Sequence, residues 1–238
     1  MTKKRIATMA TCIALVGVVA VGGTLALLSA NANTLTNTFT IGNGYPEKDA
    51  LILDEAKVEQ VKTGITNFGG YEAVASGERE KVTQQYDKLV ANTDLDKDPT
   101  FHLAVGSPNS WIIAKVTGIN DQQSGNGLDL KDKDITIKGA LPENYGWLKL
   151  DTTTGETTEI TSYDDLVDGY YVTTTTIKAG DSTDDLFEQL HVGENVVRGT
   201  LPNVVISGVA VESVTGEWAK DGAAVVAQAK TSNFIPKD

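Results

Sequence analysis

The sequence predicts an all-β protein, an antiparallel β-sandwich with short accessory helices, on three observations. Runs that alternate apolar with β-branched polar residues recur along the chain. Turn-forming Gly, Asn, Asp and Pro separate them at short intervals, and stretches of helical period are scarce. At 238 residues the chain is long enough to bury one sizeable core, and one domain is expected because all-β domains often run to this length.

The elements begin after a leader. Lys3, Lys4 and Arg5 form a basic start, and Ile6 to Leu28 follow without a charge, the layout of a secretory signal peptide. At about 1.5 Å per residue that segment is also long enough to cross roughly 30 Å of hydrocarbon, so an uncleaved membrane anchor is the alternative. Gly17, Gly22 and Gly23 weaken a helix where a peptidase needs extended backbone, which favours removal. Small residues offer two cuts: between Ala26 and Leu27, after Thr24-Leu25-Ala26, or after Ala30-Asn31-Ala32. The expected organisation is a signal peptide over 1–26, with 32 as the alternative end, and one sandwich domain over 27–238. The single cysteine, Cys12, lies inside the leader, so the mature chain holds no disulfide and its stability comes from packing.

The first strand signal follows at once. Leu35, Phe39 and Ile41 fall on one side of an alternating run, with Thr34, Thr36, Thr38 and Thr40 on the other. Phe101, Leu103 and Val105 repeat the pattern, which turns His102 outward. After the turn Gly106-Ser107-Pro108-Asn109, the run Trp111 to Val116 is mostly apolar on both faces, as suits a central strand. Ile135 to Lys138, Trp147 to Asp151, Tyr170 to Lys178 and Val204 to Val214 are further strands, and the set reads as a sandwich. Two short helices are expected: Ser182 to Leu190, with a Ser N-cap and acids in its first turn, and the Ala-rich stretch Glu217 to Lys230. Asp49 to Lys62 has mixed spacing and takes no assignment.

Charge and motif narrow the chemistry. The chain carries 20 basic and 32 acidic side chains; losing residues 1–26 removes three basic groups and no acidic one, leaving a net charge of −15. Such a body repels phosphate and lacks a basic stripe, so nucleic acid is not expected as a partner. Asp94-Leu95-Asp96-Lys97-Asp98 has alternating carboxylates, but an EF-hand needs Gly and Glu where Pro99 and Val105 stand, so a solvated acidic turn is expected. Asp129, Asp132 and Asp134 receive the same reading, with Lys131 and Lys133 as partners. His102 and His191 are the only histidines and neither opens an H-E-x-x-H helix. No G-x-S-x-G elbow presents a serine nucleophile. No catalytic residue, metal ligand or cofactor is therefore assigned.

The lysine-rich start, the core ending Gly22-Gly23-Thr24-Leu25-Ala26 and the run Asn37-Thr38-Phe39-Thr40-Ile41-Gly42 resemble exported proteins processed by a SipW-type signal peptidase, the TasA and camelysin family. Glu78 to Leu89, Lys97-Asp98-Pro99-Thr100-Phe101, Gly106-Ser107, Trp111, Lys115-Val116 and the strand Val204 to Val214 agree with it. Departures are Leu27 and Leu28, where relatives often carry an aromatic, and Ala91-Asn92, where they often carry Pro-Gly. The resemblance implies a jelly-roll-like sandwich and a secreted biofilm-matrix or cell-surface fibre subunit, with the membrane touched only through an uncleaved signal segment. Camelysin's metalloprotease label is an alternative without a zinc motif here, and a membrane-tethered binding module is another. Within the family reading, residues 27–41 are a donor strand: freed by cleavage, Leu35, Phe39 and Ile41 pair along a neighbour's open edge and fill its core, building a filament by self-association. The competing reading makes 34–41 an ordinary first strand of its own domain. No charge lies between Arg5 and Glu47 to blunt such an edge.

Overall fold

The structure is a computed structural model of the chain and describes residues 29–31, 45–46, 49–61, 70–81, 86, 89–119, 135–193 and 204–237. Among them, three sheets and one α-helix make an all-β sandwich. The strands are β1 (Ser29–Asn31), β2 (Leu51–Ala56), β3 (Val58–Gln60), β4 (Tyr71–Ala73), β5 (Arg79–Glu80), β6 (Thr93–Asp96) and β7 (Thr100–Leu103). Next come β8 (Ser110–Thr117), β9 (Ile135–Lys138), β10 (Trp147–Leu150), β11 (Thr157–Glu159), β12 (Gly169–Thr173), β13 (Gln189–Val192) and β14 (Val205–Glu212), and helix α1 spans Trp218–Thr231.

The largest sheet has the order β1-β14-β8-β12-β10-β11 and is antiparallel throughout. A five-stranded sheet, β3-β4-β6-β13-β9, is antiparallel except where Tyr71 of β4 meets Leu95 of β6 in parallel. β5-β2-β7 form the third sheet.

β8 shows why its sequence is apolar on both faces. Ile112, Ala114 and Val116 enter the main core with Leu53, Leu95, Phe101, Leu103, Trp147, Tyr171 and Leu190. Trp111 and Ile113 point the other way, into a second core with Leu150, Val172, Val209 and Val211, closed by Val225, Val226 and Ala229 of α1 and by Ile235. A strand covered on both sides reads as a near-continuous apolar run, interrupted here at Lys115, whose Nζ lies over the Tyr170 ring, whereas one facing water alternates. β14 divides its side chains in the same manner: Val209 and Val211 lie under the helix while Ala210 joins the main core. Gly208 is required by close approach, since a Cβ there would stand 2.2 Å from Cε1 of Phe101.

Helix α1 is held by a carboxylate. Its N-cap, Glu217, makes no side-chain cap bond. Asp221, buried in the first turn, instead accepts hydrogen bonds from Trp111 Nε1, Ser213 Oγ, the Thr215 amide and hydroxyl and the Gly216 amide, at 2.7 to 3.2 Å. Trp218 then packs edge-on against Trp111, with centroids 5.2 Å apart.

The expected helix over Glu217 to Lys230 is present; the one over Ser182 to Leu190 is not. Ser182 bridges His102, the Thr183 amide donates to Phe101 O, and Gln189 and Leu190 already belong to β13. The local cap signal is overridden because Leu186 and Phe187, adjacent in sequence, are both fully buried in the main core. The run Tyr170 to Lys178 leaves the ladder after Thr173 and regains it at Ile177, opposite Ser110. Asp49 to Lys62 supplies β2 and β3. Among the described residues, no helix is long and apolar enough to cross a membrane.

Candidate functional site

The outer edge of β14 is where the chain's N-terminal part meets the sandwich. Ser29, Ala30 and Asn31 pair antiparallel with Val211, Ala210 and Val209. The Ser213 amide donates to Asn109 O on the β8 side, and backbone groups of successive strand residues alternate sides. Residues 209 and 211 therefore address β8, while the amides of Gly208 and Ala210 turn to the outer edge. The same alternation sends the side chains of Val209 and Val211 under α1 and that of Ala210 into the main core, so a strand added here adjoins both cores. Among the described residues, β1 accounts for three of the eight positions of β14.

Of the residues singled out in the sequence, Ala26 and Leu27 at the first cut and Leu35, Phe39 and Ile41 of the donor strand lie outside the described residues. So do Asp129, Asp132 and Asp134. The strand seen at this end begins at Ser29 and lies within the 27–41 segment. Its Ala30 and Asn31 belong to the second candidate cleavage motif.

The polar face of the β5-β2-β7 sheet holds the other constellation. Arg79 Nε donates to Asp54 Oδ1 and its Nη1 to Asp98 Oδ2, each at 2.5 Å, while Nη2 donates to Thr100 Oγ1 at 2.7 Å. Thr100 Oγ1 in turn lies 2.6 Å from Asp185 Oδ1. Burial is the main reason that Asp185 sits above the usual carboxylate range; the Thr100 bond works against it. Lys97 pairs with Glu55 nearby. Beside Arg79, His102 lies outward as expected, with Nε2 2.9 Å from Asp54 Oδ1 and Nδ1 2.6 Å from Ser182 Oγ. This Ser-His-Asp alignment was not legible in the sequence, because its members are 48 and 80 positions apart. Asp54 also accepts from Arg79, and His102 and Ser182 are directly opposed cross-strand neighbours on an outer face. Together these contacts join β2, β5, β7 and the 181–185 segment.

The alternating carboxylates are not a solvated turn. Asp94 and Asp96 stand on β6 and each is partnered: Asp94 by Lys138 and His191, Asp96 by the Ala73 amide and Gln189. Asp98 accepts from the Ala56 amide and from Arg79. Burial raises Asp94, but the Lys138 and His191 hydrogen bonds outweigh it and hold the carboxyl below its ordinary value. His191 sits on β13 in the five-stranded sheet and His102 on β7 in the third, each facing its own aspartate. No group of three metal-ligating side chains gathers among the described residues.

Compared with known proteins, the chain matches no family model, no curated protein and no solved structure.

Proposed function

We propose that this protein is a secreted structural subunit of the extracellular matrix or cell surface, released by a SipW-type signal peptidase and assembling with itself through its N-terminal strand. The reading follows the resemblance to the TasA and camelysin family, and with it a jelly-roll-like arrangement of the sandwich. The observation that carries it is the antiparallel seat of Ser29–Asn31 on the edge of β14. An edge that takes up the chain's own N-terminal residues offers the same backbone ladder to those of a neighbour, with side chains directed to two cores. Passed from subunit to subunit, that exchange closes no ring and builds a filament. The uncharged stretch from Ile6 to Pro46 imposes no like-charge barrier on a body that is otherwise strongly acidic.

The test compares chains starting at Leu27 and at Gly42 by electron microscopy and sedimentation. The longer chain is expected to form filaments and the shorter to remain monomeric. The same filaments from the Gly42 chain would overturn the reading.

A further inference from the structure

We infer that Ser29-Ala30-Asn31 is a removable cap on the β14 edge, so that the choice between the two cleavage positions sets whether a subunit presents that edge closed or open. The inference rests on the assembly reading above and names its regulation.

The two cuts differ in their effect on β1. Cleavage after Ala26 leaves Ser29–Asn31 in the mature chain, paired with Val209–Val211. Cleavage after Ala32 removes all three residues. The Ala210 amide, which the alternation along β14 turns outward opposite Ala30, then loses its partner. The cap is built to be weak. It is three residues long, and Ser, Ala and Asn offer little apolar area, whereas the segment behind it carries Leu35, Phe39 and Ile41. β14 is eight residues long and uncharged from Val205 to Val211, so an incoming strand can pair along more of it than β1 does.

The occupant that fits is residues 33–41 of a second copy. That stretch is uncharged, alternates in strand period and remains attached after either cut. A cap on the same chain acts at an effective concentration in the millimolar range, so it holds back a neighbour present at micromolar concentration even though each of its contacts is weak. The neighbour's apparent affinity falls in proportion to the fraction of edges left open.

The experiment uses the chain starting at Leu27, its Ala30→Pro and Ala30→Val variants, and the chain starting at Asn33. Proline removes the Ala30 amide and breaks the short ladder; valine keeps it. Hydrogen exchange at Ala210 is followed in dilute monomer, with the amide of Ile113 on β8 reporting that the sandwich is intact. Exchange at Ala210 is expected at least tenfold faster in Ala30→Pro than in the parent, and unchanged or slower in Ala30→Val. The lag before filaments appear should shorten in Ala30→Pro and in the Asn33 chain. Equal Ala210 exchange in parent and Ala30→Pro, with Ile113 protected in both, overturns the cap. Faster exchange with no filaments from any chain keeps the cap and sinks the assembly reading; filaments forming equally fast from all four chains sink the cap alone.

Discussion

On one side β14 pairs with β8 across eight residues, from Val205 opposite Thr117 to Glu212 opposite Ser110; on the other it pairs with β1 across three. The β8 side is also fixed from above and below. Phe101 fills the space over Gly208, and Asp221 ties α1 to Trp111 across the second core. The β1 side holds a described ladder of three residues. The same strand thus carries a permanent neighbour and, on the inference above, a displaceable one, and the two differ in the length of the ladder, eight residues against three, and in the Phe101 and Asp221 contacts behind the longer one.

The contrast can be broken first on its permanent side. Trp111→Ala removes a fully buried ring from the second core and a hydrogen bond from Asp221, and should cost about 3–5 kcal/mol in urea unfolding at pH 7. A loss below about 1 kcal/mol would mean that the helix-covered core is not integral to the fold.

Asp221→Asn should cost about 2 kcal/mol, since the amide replaces a charged acceptor serving five donors. Burial alone raises the Asp221 carboxyl, but the bonds from Trp111, Ser213 and Thr215 outweigh it and place the group well below its ordinary range. Its folded value is depressed, so its contribution is complete above the unfolded value of about 3.9 and fades as pH falls toward the lower folded one. Urea midpoints between pH 5 and pH 2.5 should therefore fall less steeply in the variant than in the parent. Parallel slopes would remove Asp221 from the acid response.

Gly208→Ala probes the approach of β14 to Phe101 and should cost about 1–3 kcal/mol, because the ring must shift to admit a methyl group. A neutral result by thermal melting would show slack between the sheets at this point.

The smallest effect belongs to the displaceable side. Starting the chain at Asn33 should change global stability by less than about 1 kcal/mol, since β1 contributes one short ladder. A loss comparable to that of Trp111→Ala would make β1 a structural strand and end the contrast.

The sequence by itself determined the all-β class, the strands Ile135–Lys138, Trp147–Leu150 and Ser110–Thr117 nearly to their ends, and the C-terminal helix. Alternation and turn residues are local signals, and the doubly apolar run of β8 states its own burial on two faces. Only the tertiary structure decided that Ser182 to Leu190 is not a helix, because a cap of about 1 kcal/mol does not compete with burying Leu186 and Phe187 together. It alone gave each of Asp94, Asp96 and Asp98 its partner, and aligned Asp54, His102 and Ser182. The candidate edge was not legible: the alternating run expected as a strand, residues 34–41, lies outside the described residues, and the pairing of Ser29–Asn31 with Val209–Val211 depends on a contact some 180 positions away in the chain. Pairings of that range are chosen by which edge the packed sheets leave open, a property that no local window of residues contains.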